Sequence, residues 1–353
     1  MAQRTPLYAI HVSSGAKMVD FAGWMMPVQF KGIIHEHNTV RNKAGAFDIG
    51  HMGQIEVFKG EELQKLTTND IYALKEGMGQ YSFICGKDGT VIDDLIIYRL
   101  EDRFLVISNA VNAQKVFAII KGKDPGAKML YDSRVAIAVQ GPLALDIAGK
   151  ILSYDLKIMK HRQIIPVTIS GNYRGLVSRS GYSGEDGVEI FFDKEAAEIL
   201  WGDIIEQGAL PCGLGSRDTL RIEAGLPLYG HEISPEDTPL DAGFDRFVKF
   251  EKGDFVGKTS LISKKESGEF KRLIGFNLDG RAVPRQGHEL FGDKGKIGYV
   301  TSGTFSPTLD RPIGMAYLYP GTQSGNGPVK VQIRDNMFEV SLRPLPFYKR
   351  ARL

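Results

Sequence analysis

Short runs of β-branched and aromatic residues alternate with a few helix-like segments along most of the chain. Runs of this kind, bounded by glycine and other turn-forming residues, are typical of β-strands. Because the strands and helices do not follow each other as regular β-α-β units, the pattern predicts an α+β fold rather than a doubly wound parallel sheet. Helices are predicted at residues 32–45, 194–207 and 217–224.

Capping residues mark the ends of these predicted helices. Asp193 and Ser216 are expected to be N-caps, because their side-chain oxygens can accept hydrogen bonds from free backbone N–H groups. Gly45, Gly208 and Gly225 are expected to end the three helices, since glycine readily adopts the left-handed conformation that follows a helix.

The last 84 residues or so, 270–353, contain almost only strand-like patterns. Glycine-bounded turn signals occur at 292–295 and 325–327, and residues 273–278 form a plausible strand. This segment is predicted to be a small barrel or sandwich.

The strongest chemical signal is a hairpin from Tyr81 to Tyr98 with paired aspartates in its second arm. A loop at 87–88 would place Tyr81 opposite Asp94, and a loop at 88–89 would place Phe83 opposite Asp94. Both registers put the same side chains on one face, since strand side chains alternate. That face holds Tyr81, Phe83, Asp94, Ile96 and Tyr98, and the other holds Ile84, Asp93, Leu95 and Ile97. A carboxylate among aromatic rings is costly to bury alone, so Asp94 has either nearby amides or a ligand as its partner.

Two further segments have both a structural and a functional interpretation. Residues 178–190 are either an acidic surface hairpin or a loop that holds Tyr182 and Glu189 against a polar heterocycle. Arg217, in the first turn of the third predicted helix, either pairs with a neighbouring acid or binds a carboxylate or phosphate together with the helix N-terminus.

Composition excludes several classes of function. With 44 Lys+Arg against 42 Asp+Glu, the net charge of +2 argues against nucleic acid as a partner. Cys85 and Cys212 form no Cys-x-x-Cys motif, which argues against a disulfide framework and a structural zinc site. No apolar run approaches the roughly 18 residues of a membrane span, and the start lacks a hydrophobic signal core, so a cytoplasmic location is expected.

Familiar catalytic signatures are missing. Residues 213–218 lack the third glycine of a dinucleotide-binding fingerprint, and the chain has no Walker loop and no Gly-x-Ser-x-Gly motif. His35 and His37 flank Glu36 on a predicted helix, and two histidines one residue apart point in different directions there. This trio is therefore interpreted as a solvated helix face rather than a metal site, and no metal is expected.

A string of short motifs, in order along the chain, carries a family resemblance. The motifs occupy residues 4–7, 15–24, 44–53, 68–70, 92–95, 139–142, 178–189, 217–218, 301–304 and 306–309. Together they resemble the T-protein family of the glycine cleavage system, the aminomethyltransferases, over essentially all 353 residues. One departure is Gly50, where the family usually has Ser before His-Met-Gly. Its effect is expected to be local, and the alternative is that it loosens the turn that carries His51 and Met52.

The resemblance implies a three-domain cloverleaf around a central folate-binding channel. Domain 1 would comprise residues 1–50 and 137–265, domain 2 would be an inserted α/β sandwich at 51–136 that carries Asp94, and domain 3 would be a β-barrel at 266–353.

The resemblance also implies the reaction and its participants. The family transfers the methylene of an aminomethyl group on the lipoyl arm of H-protein to tetrahydrofolate. The products are 5,10-methylenetetrahydrofolate, ammonia and dihydrolipoyl H-protein. Tetrahydrofolate would be a co-substrate and lipoylated H-protein the partner, with functional links to the P- and L-proteins and with neither nucleic acid nor membrane involved.

Site residues follow from the motif positions that match. Asp94 would be the catalytic acid/base residue. Folate would be bound by Tyr81, Tyr98, Asn109, Tyr182, Glu189, Arg217 and Tyr348. Two alternatives are a folate-dependent demethylase of a methylated amine or sulfonium compound and a non-enzymatic folate-binding protein. The latter usually carries a Lys-Gly-Cys-Tyr motif, where this chain has Leu228-Tyr-Gly-His-Glu232.

Overall fold

The computed structural model of the chain describes residues 2–169, 173–322 and 328–350. The strands are β1 (Gln3–Arg4), β2 (Lys17–Phe21), β3 (Trp24–Gln29), β4 (Gly45–Asp48), β5 (Gly53–Val57), β6 (Gly79–Cys85), β7 (Val91–Arg99), β8 (Phe104–Ser108), β9 (Lys128–Met129), β10 (Arg134–Gln140), β11 (Ile164–Ile169), β12 (Tyr173–Ser178), β13 (Gly187–Asp193), β14 (Leu210–Pro211), β15 (Arg272–Asn277), β16 (Glu289–Gly292), β17 (Gly295–Ser306), β18 (Arg311–Leu318), β19 (Val329–Ile333) and β20 (Asn336–Arg343). The α-helices are α1 (Tyr8–Ser13), α2 (Ile33–Asn42), α3 (Gly60–Leu66), α4 (Ala113–Lys123), α5 (Ala144–Leu152), α6 (Ala197–Glu206), α7 (Leu214–Glu223) and α8 (Lys258–Ser267). Short 3₁₀ turns occur at Ala110–Asn112, Leu156–Ile158, Lys194–Ala196, Asp245–Phe247 and Phe250–Lys252.

Helices and sheets are mixed along the chain, which confirms the α+β prediction. The sheets have the strand orders β1-β3-β2, β11-β12-β13-β10-β4-β14 and β6-β7-β8-β5-β9. Strands β15-β18-β17-β16-β19-β20 form a closed barrel, which decides between the barrel and the sandwich predicted for the C-terminal segment. Within the described ranges, none of the helices combines the length and apolar character that crossing a membrane requires.

Two compact units account for the chain. Unit 1 comprises residues 1–64, 70–81 and 95–218, and unit 2 comprises residues 65–69, 82–94 and 219–353. The three domains with borders near residues 50, 136 and 265 stay a prediction, as does their cloverleaf arrangement around a channel.

The core of unit 1 is built on β10. Residues 135–140 of this strand are all buried, because β13 and β4 flank it within the sheet. Ala144 and Ala148 of α5 and Leu200 and Trp201 of α6 belong to the same apolar cluster as this strand. Burial on both faces thus explains why β10 is an apolar run. The buried strand also fixes the position of Gln140, its last residue.

Two of the predicted helix boundaries and one predicted capping bond were wrong. Gly45 begins β4 instead of ending α2, which stops at Asn42. Asp193 precedes the second helix, yet its side chain makes no capping hydrogen bond. Ser216 lies inside α7, which begins two residues earlier at Leu214. Gly208 and Gly225 do follow their helices, with φ of +102° and +63°.

The barrel of unit 2 confirms the local signals of the C-terminal segment. The turn predicted at 292–295 joins β16 to β17, and the strand predicted at 273–278 is β15. The turn predicted at 325–327 lies outside the described residues. Arg221 of α7 is fully buried in this unit, where it donates to Glu232 Oε2 over 2.7 Å and to Ser302 Oγ over 2.7 Å. Its role is therefore structural.

Candidate functional site

The loop between β12 and β13 of unit 1 is held by two arginines. Arg179 donates to both carboxylate oxygens of Asp186, over 3.1 and 2.6 Å, and so closes the base of the loop with a two-pronged ion pair. Arg41 Nη1 donates to Ser183 O and to Glu185 Oε1, each over 2.8 Å. The loop therefore has a defined conformation without being part of the sheet.

Gln140 supports the same loop from beneath. Its Nε2 donates to Ser180 O over 3.0 Å, and its Oε1 accepts from Ser183 Oγ over 2.7 Å. A Cβ at Gly181 would lie 1.9 Å from Gln140 Oε1, and one at Gly187 would lie 2.4 Å from Gln140 Nε2. These two glycines are required because the Gln140 amide lies directly against the backbone.

Gly181→Ala is expected to lower the free energy of unfolding by about 1–3 kcal/mol, because the added methyl displaces the Gln140 amide from its buried hydrogen bonds. Thermal unfolding followed by circular dichroism measures the loss. Gly202→Ala is the matched control, since a Cβ there meets nothing within 4 Å in the middle of α6. That control should be as stable as the parent or more stable by up to about 1 kcal/mol. Equal stability of Gly181→Ala and the parent would contradict the close packing.

Glu189 ends a hydrogen-bonded chain that begins at Tyr98. The hydroxyl of Tyr98 donates to Ser180 Oγ over 3.2 Å, and Ser180 Oγ donates to Glu189 Oε2 over 2.7 Å. Burial and the charge of Glu189 raise the pKa of Tyr98 well above its ordinary value, so this hydroxyl stays a donor. Val188 and Ile190, its neighbours on β13, are buried while Glu189 is half-buried, which confirms that it faces away from them.

Arg217 lies over the ring of Tyr182, with 4.8 Å between the guanidinium carbon and the ring centroid. Burial lowers the pKa of Arg217, and the negative charge of Glu189 opposes part of that shift. Tyr182, Glu189 and Arg217 are all half-buried. Unit 1 thus brings together a flat aromatic ring, a carboxylate and a guanidinium, which can bind a polar, planar ligand.

The N-terminus of α7 does not offer the anion site that the sequence suggested. Glu36 Oε2 accepts from Gly213 N over 2.8 Å and from Ser216 Oγ over 3.3 Å, so a carboxylate of the protein already occupies this position. Arg217 is the fourth residue of the helix rather than the first. Of the two features that the sequence suggested for binding an anion, the guanidinium of Arg217 therefore stays available, whereas Glu36 lies at the start of the helix.

Asp48 anchors the turn between β4 and β5. Its Oδ2 accepts from Thr5 Oγ1 over 2.5 Å and lies 3.0 Å from His11 Nε2, and its Oδ1 accepts from Gly50 N over 2.8 Å. Burial raises the pKa of Asp48, but His11, Thr5 and Gly50 together bring it below its ordinary value. The turn that carries His51 is therefore held through the backbone of Gly50, with no side chain needed at that position.

The hairpin of unit 2 closes differently from both predicted registers. Gly86 N donates to Thr90 O over 2.8 Å, and Gly89, with φ of +83°, donates to Gly86 O over 3.0 Å. The loop thus has three residues, 87–89, and it is closed by the pair of residues 86 and 90. The two predicted loops would have been closed by residues 86 and 89 or by residues 87 and 90. The alternation in the second arm is confirmed, because Asp93 is fully buried and Asp94 is half-buried.

The remaining predicted site residues are placed as follows. Tyr81 is half-buried on β6, and Asn109 is half-buried directly after β8. Tyr348 is half-buried in unit 2, where its N–H donates to Glu223 O over 2.8 Å. Their roles in binding stay predictions.

The predicted solvated helix face at 35–37 was wrong for two of its three residues. His35 is exposed, but Glu36 and His37 are buried. In the part of the chain that the structure describes, no group of three or more His, Cys, Asp or Glu is placed to hold a metal ion.

Sequence reasoning missed the residues that support the cluster. Gln140 and Ser180 lie in motifs that had been singled out, but nothing in their spacing indicated which backbone or carboxylate they would contact. Glu36 was singled out for its histidine neighbours, but two of its five donors, Gly213 N and Ser216 Oγ, come from a segment far along the chain.

Comparison with known proteins identifies the family. The family model described as the GCVT N-terminal domain matches residues 7–252, and the one described as the glycine cleavage T-protein C-terminal barrel domain matches residues 271–349. Aminomethyltransferase of Thermoanaerobacter pseudethanolicus is 43% identical over 99% of this chain and 98% of its own length. That of Moorella thermoacetica is 42% identical over 99% of both chains.

A solved structure gives the same result. Glycine cleavage system aminomethyltransferase T from Bartonella henselae superposes with a TM-score of 0.90 at 33% sequence identity, covering 99% of each chain. This match supports the predicted α+β fold with its C-terminal β-barrel. The chain belongs to the glycine cleavage T-protein family, the aminomethyltransferases of the glycine cleavage system.

Proposed function

We propose that this chain transfers the methylene of the aminomethyl group on lipoylated H-protein to tetrahydrofolate. The reaction gives 5,10-methylenetetrahydrofolate, ammonia and dihydrolipoyl H-protein. The observation that carries the proposal is the cluster in unit 1, where four residues predicted to bind folate are in contact or in electrostatic range. These are Tyr98, Tyr182, Glu189 and Arg217.

The chemistry of this cluster suits a reduced pterin. The pterin ring presents neighbouring N–H groups, and a carboxylate such as Glu189 can accept two hydrogen bonds from them. The hydrogen-bonded chain from Tyr98 and Ser180 uses only Oε2 of Glu189 and fixes its orientation. Tyr182 offers an aromatic face, and Arg217 supplies a positive charge beside it. Tyr81, Asn109 and Tyr348 complete the proposed folate-binding set.

Asp94 is the proposed catalytic residue. As carbon passes from sulfur to the folate nitrogen, it acquires cationic, iminium-like character. A fixed carboxylate stabilises that charge and can orient or accept a proton from folate. Asp94 is half-buried, so it combines partial exclusion of water with access to a ligand.

The proposed participants follow from the family. The carrier is lipoylated H-protein, the P- and L-proteins act on the same cycle, and tetrahydrofolate is a co-substrate, with no metal. A cytoplasmic location and the three-domain arrangement with a central folate channel belong to the same proposal.

The experiment that tests this function measures ammonia release and 5,10-methylenetetrahydrofolate formation from aminomethyl-loaded H-protein, with and without tetrahydrofolate. Folate-dependent turnover is the expected result. Tight folate binding without turnover would contradict the proposal and would direct the search to demethylation of methylated amines or to a folate-binding role without catalysis.

Arg217→Ala is expected to weaken tetrahydrofolate binding by about tenfold to a hundredfold, because hydrogen bonds to a charged group contribute about 1.5–3 kcal/mol. Thermal stability should change little, since the side chain is only half-buried. Isothermal titration calorimetry measures the affinity. Arg174→Ala is the matched control, because Arg174 is an exposed arginine on β12, the strand next to β13 in the sheet. Unchanged folate affinity in Arg217→Ala would remove the arginine from the site.

A further inference from the structure

The start of β7, the strand that carries Asp94, is held by a segment far along the chain in the same unit. Val91 is the first residue of β7, and its N–H donates to Asp237 O over 2.8 Å. Both residues are only 2% exposed, so this bond is shielded from water. Because Asp94 follows Val91 by three positions, the place of Asp94 within unit 2 depends on the backbone of Asp237. The proposed function gives Asp237 no role.

The buried carboxylate of Asp237 is held by two donors. Ser234 Oγ donates to Oδ2 over 2.6 Å, and the ammonium of Lys271 donates to Oδ1. Lys271 also donates its backbone N–H to Asp241 Oδ1 over 2.9 Å, so it holds both ends of the segment 237–241. A buried carboxylate that loses its cation is strongly destabilised and must move to find water or other donors. Lys271 therefore fixes the segment whose carbonyl group holds β7.

Lys271 is itself fixed by the barrel. It directly precedes β15, and its ammonium donates to the Tyr299 hydroxyl on β17 over 3.0 Å. The same ammonium lies 4.8 Å from the ring centroid of Tyr317 on β18, which is fully buried. Burial lowers the pKa of Lys271, but the bonds to Asp237 and Tyr299 outweigh burial and raise the pKa above its ordinary value. The side chain is therefore a cation near pH 7, and its position is set by two barrel strands.

The loop of the hairpin is held independently, by α8. Ser260 Oγ donates to Lys87 O over 2.8 Å, and a Cβ at Gly89 would lie 3.1 Å from Leu261 Cγ. These contacts do not involve Lys271. A change at Lys271 should therefore loosen the start of β7 while the loop stays attached to unit 2.

We propose that Lys271 is a positioning residue for Asp94: by fixing Asp237 it holds the start of β7, and with it the proposed catalytic carboxylate, in place. This inference rests on the proposed function, because it deepens the role given there to Asp94. A carboxylate stabilises a developing cation well only if it is fixed before the reaction, and a displacement of about 1 Å can cost about a hundredfold in rate. By this route the barrel contributes to the rate of the reaction.

Lys271→Met removes the ammonium and keeps a side chain of similar length. Its turnover with aminomethyl-loaded H-protein should fall about tenfold at temperatures well below unfolding, while the KM for tetrahydrofolate stays within about twofold, because the loss occurs at the reacting carboxylate. Ser234→Ala removes only one donor to Asp237 and, as the milder variant, should lower turnover about threefold. Lys296→Met is the matched control: Lys296 is a barrel lysine whose ammonium donates to Glu289 Oε1 over 2.6 Å at the surface, and both quantities should equal those of the parent.

Two readouts separate positioning from a merely structural role. In the Asp94→Asn background, Lys271→Met should lower turnover by less than about twofold, because a positioning residue acts through Asp94 and the two effects are then not additive. In the free protein, the Val91 amide of Lys271→Met should exchange its hydrogen at least about tenfold faster than in the parent. The amide of Val300 on β17, which donates to His288 O over 2.7 Å, should exchange as in the parent.

Parent-like turnover of Lys271→Met would overturn the inference. A loss of the same size in the Asp94→Asn background, or equal acceleration of exchange at Val91 and Val300, would overturn it as well, because either result means general destabilisation. Should Lys271→Met not fold, the same comparisons apply to Ser234→Ala. Failure of the proposed function is distinguishable: the parent protein would then show no folate-dependent turnover, whereas failure of the inference leaves the parent active.

Discussion

Replacing Asp94 with Asn should give a folded protein whose turnover with aminomethyl-loaded H-protein falls by about 10²–10³, or roughly 3–4 kcal/mol of transition-state stabilisation. The two side chains have nearly the same shape, and Asp94 is half-buried, so the fold should tolerate the change. What would be lost is the negative charge proposed to stabilise the developing cation, together with the ability to accept a proton. Stopped-flow or steady-state measurement of 5,10-methylenetetrahydrofolate formation determines the loss.

A second aspartate of the same hairpin is the matched control for this experiment. Asp88 is exposed in the loop, where its Oδ1 accepts from Thr90 N over 3.1 Å and from Thr90 Oγ1 over 3.0 Å. Asn can accept the same two bonds, so Asp88→Asn should retain full turnover. Folate affinity of Asp94→Asn, measured separately, distinguishes loss of chemistry from loss of binding. Turnover of Asp94→Asn at the level of the parent would exclude the proposed catalytic role.

The alternation of Asp93 and Asp94 shows which part of this site was predictable from the sequence. Side chains on a strand must alternate, so the opposite environments of these two residues followed from spacing alone. The register of the hairpin did not, because Gly89 allows a third loop residue that a two-residue turn signal does not reveal. One residue of difference in a loop moves the pairing along the whole hairpin.

The barrel was predictable for a related reason. Its turns are local, and a glycine-bounded signal such as 292–295 determines the hairpin that it closes. The order of the barrel strands, β15-β18-β17-β16-β19-β20, depends on contacts between distant segments and was outside the reach of local patterns.

Glu36 illustrates the opposite case. Its neighbours in the sequence are polar, and helical periodicity gave no reason to bury it. The residues that bond to it belong to two segments. One lies directly before α2, and the other is the start of α7, more than 170 positions away from Glu36. Three of its donors are local, but Gly213 N and Ser216 Oγ come within reach of Glu36 only in the tertiary structure.

Glu36→Ala should accordingly destabilise the protein by about 3–6 kcal/mol, because each buried donor left without a partner costs about 1–3 kcal/mol. Glu36 Oε2 accepts from Gly213 N and Ser216 Oγ, and both donors are buried. Glu36 Oε1 accepts from three successive backbone N–H groups, those of residues 30, 31 and 32, over 2.6, 3.0 and 3.3 Å. A loss of this size is a large fraction of the total stability of an ordinary domain.

Thermal unfolding measures the effect, with a melting temperature expected to fall by roughly 6 °C or more, since about 1 kcal/mol corresponds to about 2–4 °C for a domain of this size. Glu36→Gln should also destabilise, because its amide can accept on one side only and directs an N–H₂ group at donors on the other. Glu198→Ala is the matched control: Glu198 is also a glutamate in the first helical turn, but it is exposed, so its loss should stay within about 0.5 kcal/mol.

Because Glu36 holds the start of the helix that carries Arg217, Glu36→Ala should weaken tetrahydrofolate binding as well, at temperatures where the protein is still folded. Parent-like stability of Glu36→Ala would mean that water replaces the carboxylate at no cost and that this residue does not fix the position of Arg217.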